Sequence, residues 1–175
     1  MTDAFAHRLR LDQIRDGERI DLVADERERR AVAERLGLPS IHRLEAHAVL
    51  YRTTEGIRAE GRVAASLEQS CVVTGEPVPA HVDEAFAIAF MREPEVRRSD
   101  EEIELDPNEC DVVFHDGSTI DLGSAVADTL ALGLPAYPRS PGSETVLKEA
   151  GIMSEAEASP FAVLAQLRKG GSDDS

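Results

Sequence analysis

The chain has 175 residues and a formal net charge of −15, with 42% hydrophobic and 30% charged side chains. This length and composition suit a soluble globular protein and exclude a disordered chain. There is no Trp, and aromatic residues make up only 4%, which argues against the stacking platforms that bind single-stranded nucleic acid.

The acidic surplus is confined to one part of the chain. Residues 1–62 contain 12 Arg and 12 acidic residues, whereas residues 63–175 contain 7 basic and 22 acidic ones. Between residues 93 and 128, twelve acidic residues stand against only Arg97 and Arg98. Such a field repels a phosphate backbone and attracts cations or basic proteins. A solvated acidic face that keeps the protein soluble is the simpler alternative.

Targeting signals and disulfides are not expected. Residues 1–20 interleave Arg and Asp and contain no apolar core of a signal peptide. No run reaches the roughly 18–20 apolar residues of a membrane span. Cys71 and Cys110 are too few for a disulfide scaffold. We therefore expect a cytoplasmic protein.

The first third of the chain predicts two short strands and a helix. Apolar and polar residues alternate over residues 5–11, and a second strand covers residues 19–24. Asp25 and Glu28 have the spacing of a capping box. They predict a helix over about 25–37, which a Gly and a Pro terminate.

The middle of the chain predicts long strands joined by short turns. Alternation over residues 44–51 and again from 57 to 73 indicates a hairpin with its turn at 53–56. A second turn at 74–77 leads into a returning strand over residues 78–90.

The last part predicts loops and two helices. An acidic loop over about 92–110 precedes strands at 110–114 and 119–122. A helix over about 121–132 follows, and then a Pro-stiffened loop over 134–142.

The C-terminal residues contribute little regular structure. Residues 143–158 look weakly structured, a short amphipathic helix covers 160–169, and the tail 170–175 is disordered by composition.

Together these elements predict one α+β domain over residues 1–169. Its centre is a mostly antiparallel, strongly curved sheet built from residues 4–120, with about three helices. A barrel-like sheet is one form of this prediction, and an open sheet with the helices on one face is the alternative.

The turn after the long central strand contains half of a metal-binding knuckle. Cys71 is followed three residues later by Thr74, where a Cys-x-x-Cys pair has its second thiolate, and Gly75, Glu76 and Pro77 complete the turn. A zinc site needs about four nitrogen or sulfur ligands. We therefore interpret the Cys as a small buried apolar residue.

A metal site assembled in three dimensions is the alternative. His81 could face Cys71 across the hairpin, and Cys110 lies on the same predicted strand as His115. The five His residues show no ligand spacing relative to one another, so we predict no metal ligand and no cofactor.

Two segments are candidates for binding a partner. The acidic loop contributes Asp100, Glu101, Glu102, Glu104 and Asp106. The Pro-rich loop contributes Tyr137 and Arg139, which are residue types enriched in binding hot spots. A stiff connector with the Tyr packed inside is the alternative for the second segment.

The acidic cluster also admits a metal-dependent hydrolase as an alternative function. Catalytic carboxylates need burial or a charge partner to separate their pKa values, and nothing in the cluster indicates either. The sequence lacks a Gly-x-Ser-x-Gly elbow, a phosphate-binding loop, a dinucleotide fingerprint and a His-Glu-x-x-His motif. We therefore predict no catalytic residue and no enzymatic activity.

Three segments occur together in a characteristic order. They are the Cys71–Val78 hairpin before a Phe-rich strand, Ile120-Asp121-Leu122 opening a helix that runs to Pro135, and Pro-Phe-Ala-Val-Leu at 160–164. Together they resemble the YceD-like family, the large ribosomal RNA subunit accumulation proteins, in its α-proteobacterial form. The resemblance covers roughly residues 5–169. Many relatives carry Cys-x-x-Cys at the hairpin, and the Thr in its place puts any metal-binding role of the family in doubt for this chain.

The resemblance implies a non-enzymatic cytoplasmic factor that supports accumulation of large-subunit (23S) ribosomal RNA, and hence ribosome biogenesis. An acidic protein is better suited to hold a basic ribosomal or assembly protein than to grip RNA. Direct RNA binding through the Arg-rich N-terminal half is the alternative. The residues for that alternative are Arg8, Arg10, Arg58 and Arg62.

Overall fold

A computed structural model describes residues 4–93, 111–115 and 117–152. These residues fall into two compact units. Unit 1 contains the described residues up to Gln69 and those within Pro79–Ala136, and unit 2 contains Ser70–Val78 with the described residues from Tyr137 onward. A single domain over residues 1–169 stays a prediction.

The described residues form seven strands and three helices. In chain order these are β1 (Arg8–Arg10), β2 (Glu18–Val23), α1 (Glu26–Leu36), β3 (Ser40–Arg52), β4 (Gly56–Ser70), β5 (Pro77–Arg92), β6 (Asp111–His115), β7 (Thr119–Asp121), α2 (Leu122–Leu132) and α3 (Ser143–Glu149).

Five strands form one sheet in the order β2-β3-β4-β5-β6. The pairs β2–β3 and β3–β4 are antiparallel, whereas β5 and β6 are parallel. The long strands alternate between buried and more exposed residues, as the period of two predicts. The buried side chains of β4 are those of Ile57, Ala59, Val63, Ala65, Leu67 and Gln69.

The remaining two strands form a separate sheet that leads directly into a helix. β1 pairs antiparallel with β7, with Leu9 opposite Ile120. Asp121 then caps α2, since its Oδ1 atom accepts hydrogen bonds from the backbone amides of Ser124 and His7, both at 3.0 Å. One carboxylate thus fixes the start of the helix and ties it to the N-terminal segment.

The predicted capping box of α1 is confirmed. The Asp25 side chain accepts from the Glu28 amide and the Glu28 side chain accepts from the Asp25 amide, each at 2.8 Å. The helix ends at Gly37, whose φ of 65° is the left-handed conformation that favours glycine. Val32 and Ala33 are the buried residues of the helix, which packs on β3.

The expected barrel-like sheet is wrong for the part of the chain that the structure describes. β2 and β6 lie at opposite ends of the strand order and do not pair with each other, so these five strands do not close into a barrel. The parallel β5–β6 pair makes it a mixed sheet. The α+β class is confirmed, and strong curvature stays a prediction.

Residues 143–149 correct another expectation. They form α3, so the prediction of weak structure is wrong for this stretch. This helix was difficult to predict from the sequence because it is only seven residues long and its N-cap, Gly142, makes no side-chain capping bond. The predicted helix at 160–169, the tail, and residues 94–110 of the acidic loop lie outside the described residues. Among those described, no helix has the length and apolarity that a membrane crossing requires.

Candidate interaction site

The turn between β4 and β5 is closed by its own backbone. The Cys71 amide donates to the Glu76 carbonyl at 2.7 Å, and the Gly75 amide donates to the Cys71 carbonyl at 2.9 Å. Gly75 has a φ of 77°, which a residue with a side chain rarely adopts. β4 therefore ends at Ser70, three residues before the predicted end at Val73.

The Cys71 sulfur accepts hydrogen bonds from two backbone amides inside unit 2. The Thr74 amide lies 3.4 Å from the sulfur and the Ser140 amide lies 3.2 Å from it. Only 3% of the residue is exposed. The expected small buried residue is therefore present, and it also acts as the acceptor for the two amides.

Thr74 occupies the second position of the half knuckle, and its hydroxyl takes part in a network of hydrogen bonds. Its Oγ1 atom donates to a Glu76 carboxylate oxygen at 3.1 Å and lies 3.1 Å from the Ser140 hydroxyl. Because a hydroxyl carries one proton, the Ser140 hydroxyl is the donor toward Thr74. The turn and the Pro-rich loop are thus joined by side-chain as well as backbone bonds.

A second pair of residues repeats the spacing of the half knuckle. Ser140 and Ser143 are also three residues apart, both are buried, and the Ser143 amide donates to the Ser140 carbonyl at 3.0 Å. The cluster contains one thiol and several hydroxyls, which is not a zinc ligand set. In the described ranges, no group of three or more His, Cys, Asp or Glu residues could hold a metal ion.

The environment of Cys71 changes the acidity of its thiol. Burial raises the pKa of the thiol, but the hydrogen bonds from Thr74 and Ser140 outweigh burial and lower the pKa to about 6. The sulfur is nevertheless shielded from solvent. The low pKa therefore affects the stability of the turn. Because the sulfur is shielded from solvent, the thiolate is poorly placed to attack an external electrophile.

The Pro-rich loop presents its aromatic residue to solvent. The Val72 amide donates to the Pro138 carbonyl at 2.9 Å, which fastens the loop beside the turn. Tyr137 is 80% exposed, and Arg139 is exposed as well. The alternative of a Tyr packed inside is wrong. Val72, 54% exposed, was missed by the sequence reasoning, and its only signal was an apolar side chain within a turn.

The turn, α2 and the Pro-rich loop all fall within one family match. Residues 59–168 match the family described as Large ribosomal RNA subunit accumulation protein YceD. This segment is more than half of the 175 residues. The chain belongs to the YceD family. Membership indicates a role in the accumulation of large-subunit ribosomal RNA. No curated protein and no solved structure matches the chain.

The match confirms the family that the sequence motifs indicated, over a shorter range than the expected 5–169. It begins inside β4 and includes the Cys71 turn. The family is described by ribosomal RNA accumulation rather than by a catalytic activity. Assignment to an α-proteobacterial form stays a prediction.

The acidic residues predicted to bind a partner of this YceD-family protein lie outside the described residues, as does Cys110. They are Asp100, Glu101, Glu102, Glu104 and Asp106. Their role therefore stays a prediction that is based on charge.

The four Arg residues of the RNA-binding alternative all lie close to carboxylates. The shortest nitrogen–oxygen distances are 3.9 Å for Arg8–Asp121, 3.0 Å for Arg10–Asp12, 2.7 Å for Arg58–Glu60 and 2.6 Å for Arg62–Asp83. A phosphate group would have to compete with these carboxylates, and the local net charge of each pair is near zero. These four Arg residues therefore contribute little of the excess positive charge that attracts RNA.

Proposed function

We propose that this protein is a non-enzymatic, cytoplasmic ribosome-biogenesis factor that supports accumulation of 23S ribosomal RNA by binding a basic ribosomal or assembly protein. The family match over residues 59–168 carries the first part of the proposal. The second part, a basic protein as partner, is an inference from charge.

The charge distribution favours a basic protein over RNA as the direct partner. Residues 93–128 contain twelve acidic residues and two Arg, so a long-range field would attract a positively charged surface and speed its association. In the other half, Arg10, Arg58 and Arg62 each pair with a neighbouring carboxylate. A protein of this kind acts on ribosomal RNA through the protein that it holds.

The two candidate segments have complementary roles in this proposal. The acidic residues Asp100, Glu101, Glu102, Glu104 and Asp106 supply the attraction. Tyr137 supplies an exposed aromatic anchor on a loop that hydrogen bonds hold in place, and Arg139 lies beside it. An anchor that is already ordered loses little conformational entropy on binding.

The test combines a deletion strain with affinity capture. The strain is complemented with tagged wild type, with an acidic-loop variant, or with a matched control, and ribosomal particles are separated on gradients. The variant carries Asp100→Asn, Glu101→Gln, Glu102→Gln, Glu104→Gln and Asp106→Asn. The control removes five exposed carboxylates elsewhere, by Asp21→Asn, Glu34→Gln, Glu55→Gln, Glu84→Gln and Glu149→Gln.

We expect large-subunit precursors to accumulate in the deletion strain and in the acidic-loop variant, whereas wild type and control restore mature subunits. A basic protein should be captured after nuclease treatment, and the acidic-loop variant should capture less of it. Recovery of RNA alone, unaffected by protease treatment of the lysate, would show that the partner is RNA. A normal gradient in the deletion strain would contradict the role in ribosome biogenesis.

A further inference from the structure

The face of β5 and β6 that points away from the core is apolar. On β5 its residues alternate with the buried Phe86, Ile88 and Phe90, and the register continues it onto β6. Its side chains are those of Ala85, Ala87, Ala89, Met91, Val112 and Phe114. Val112 is 44% and Phe114 56% exposed. We call this surface the outer face of β5–β6. Contiguous exposed apolar surface marks a contact site.

The parallel pairing of β5 with β6 requires the chain between them to run back along the sheet. Asp111 lies opposite Ile88, four residues before the end of β5 at Arg92, so the return is about 13 Å long at 3.3 Å per residue. Parallel neighbours are joined by a crossover of a dozen or more residues that passes over one face of the sheet. The connecting segment, residues 94–110, is long enough to return and to pack on the face that it crosses.

The packing of the two strands favours the outer face for this crossover. On the opposite face, Ile88 and Phe90 are at most 2% exposed. Val113 of β6 packs against the same core. A segment that crossed there would have to displace core side chains, whereas the outer face is open to contact.

The handedness of the connection selects the same face. The Glu93 amide donates to the His115 carbonyl at 3.3 Å, so the amides of the odd-numbered, outward-facing residues of β5 point toward β6. For L-residues, β6 then lies to the right of β5 when the outer face is viewed with both strands pointing up. A crossover in front of this face is right-handed, as about 98% of such connections are.

The sequence of the connecting segment suits a position between an apolar face and solvent. Ile103 and Leu105 flank Glu104, and Glu102 and Asp106 come next on either side. With the period of two of an extended chain, the two apolar side chains fall on one side and the three carboxylates on the other.

We propose that residues 94–110 cross the outer face of β5–β6, with Ile103 and Leu105 packed against Val112 and Phe114. The alternate carboxylates then point to solvent, and the sheet is the platform that presents them to a basic partner. Carboxylates held in this way lose less conformational entropy on binding than those of a free loop. The proposal rests on the proposed function only in taking these carboxylates as the partner-binding groups.

The first test detects the contact directly in the full-length protein by nuclear magnetic resonance. We expect nuclear Overhauser effects between the methyl groups of Ile103 and Leu105 and the ring of Phe114, because packed side chains approach within about 4.5 Å. Effects from the same methyl groups to the ring of Phe90 would place the segment on the core side and overturn the proposal. Absence of any effect to Phe114 would overturn it as well.

The second test measures how far the outer face protects the segment from a glutamate-specific protease. Cleavage after Glu102 and Glu104 requires the segment to leave the face. Val112→Thr/Phe114→Thr keeps strand propensity and net charge while removing apolar contact. Cleavage should be about tenfold faster in this variant, as loss of one or two apolar contacts predicts. Equal cleavage rates in the variant and the wild type would overturn the proposal.

The digestion carries two controls. Val23→Thr alters an exposed residue of β2, at the other end of the sheet, and should leave the cleavage rate unchanged. Glu55 is exposed in the turn between β3 and β4, so cleavage after it is an internal reference that should be the same in every variant. Faster cleavage at both places would report general unfolding, and the proposal would fail.

The variant Ile103→Ser/Leu105→Ser tests the platform role, since it retains every carboxylate. It should be cleaved faster and should capture several-fold less of the basic protein, and unchanged capture would overturn the platform. A contact between Leu105 and Phe114 without any captured basic protein would reject the proposed function alone. Capture that depends on the carboxylates, without that contact, would reject the docking alone.

A second copy of the chain is the other occupant to be tested. Sedimentation should find the same oligomeric state for the wild type and for Val112→Thr/Phe114→Thr. A wild-type dimer that this variant dissolves would assign the outer face to a second copy and overturn the proposal.

Discussion

The backbone amide of Ser140 donates a hydrogen bond to the Cys71 sulfur over 3.2 Å, and it joins positions that are 69 residues apart. Together with the bond from Val72 to Pro138, it fastens the Pro-rich loop to the turn between β4 and β5. The conspicuous Cys is therefore a structural acceptor. The bond holds in place the loop on which Tyr137 is exposed.

Removing the sulfur tests this role. Cys71→Ala leaves the amides of Thr74 and Ser140 without an acceptor, whereas Cys71→Ser retains an acceptor of smaller size. We expect the alanine variant to have the lower free energy of unfolding, because an unsatisfied buried donor is costly. Urea denaturation of both variants measures the difference. Equal midpoints would show that the two bonds contribute nothing.

The acidity of Cys71 predicts a pH dependence of stability. Its hydrogen bonds lower the pKa of the folded thiol to about 6, below the ordinary value of 9.0. Between these values the unfolded chain binds more protons than the folded one, so stability rises with pH from 6 to 9. The contribution is complete above pH 9 and is lost as the pH falls through 6. The stability difference between wild type and Cys71→Ser should grow from pH 6 to pH 9, and a constant difference would contradict a lowered pKa.

Several features of the fold could be predicted because they leave local signals. The alternation along β4 and the capping box of α1 each follow from residues close in sequence, and both are present. The pairing of β1 with β7 and the parallel pairing of β5 with β6 could not be predicted. Such pairs depend on tertiary contacts between segments that carry no matching local pattern.

The candidate interaction site likewise has features that could be predicted from the sequence and features that could not. The spacing of Cys71 and Thr74 could be recognised in the sequence. The contact of this turn with Ser140 could not, because serine is common in loops and rarely predicts burial. The equal spacing of Ser140 and Ser143 was the one available signal. Exposure of Tyr137 likewise depends on the path of the loop, which the bond between Val72 and Pro138 sets.

The close approach of β3 and β4 predicts that replacing Gly61 destabilises the protein. A Cβ atom there would lie 1.9 Å from the His47 carbonyl oxygen and 2.9 Å from the Ala48 Cα. Because both are backbone atoms, Gly61→Ala should lower the free energy of unfolding by about 1–3 kcal/mol or more. Gly142→Ala is the control, since nothing lies within 4 Å of its Cβ position and its φ is −82°. Thermal denaturation that ranks the two variants equally would contradict the close approach.

Cys71 and Thr74 have the same three-residue spacing as Ser140 and Ser143. We therefore predict that a zinc site can be built from these four positions by substitution. Thr74→Cys/Ser140→Cys/Ser143→Cys supplies three thiolates in addition to Cys71, and four thiolates are a common structural zinc set. The Thr74 and Ser140 oxygens are already 3.1 Å apart, and the amides of both residues contact the Cys71 sulfur, so three of the four positions are close together. We expect elemental analysis to find about one zinc per chain in the triple variant and a substoichiometric amount in Thr74→Cys alone. A triple variant that folds without zinc would show that the pairs do not converge.

Substitution of Tyr137 separates binding from stability. Tyr137→Ala removes a side chain that is 80% exposed, so the free energy of unfolding should change by no more than about 0.5 kcal/mol. If the residue anchors the partner, capture of the basic protein should fall several-fold, as truncation of an aromatic hot spot does. Tyr51→Ala, on β3, is the control for loss of an exposed Tyr. Affinity capture followed by quantitative mass spectrometry compares the variants, and unchanged recovery with Tyr137→Ala would place the contact elsewhere on the protein.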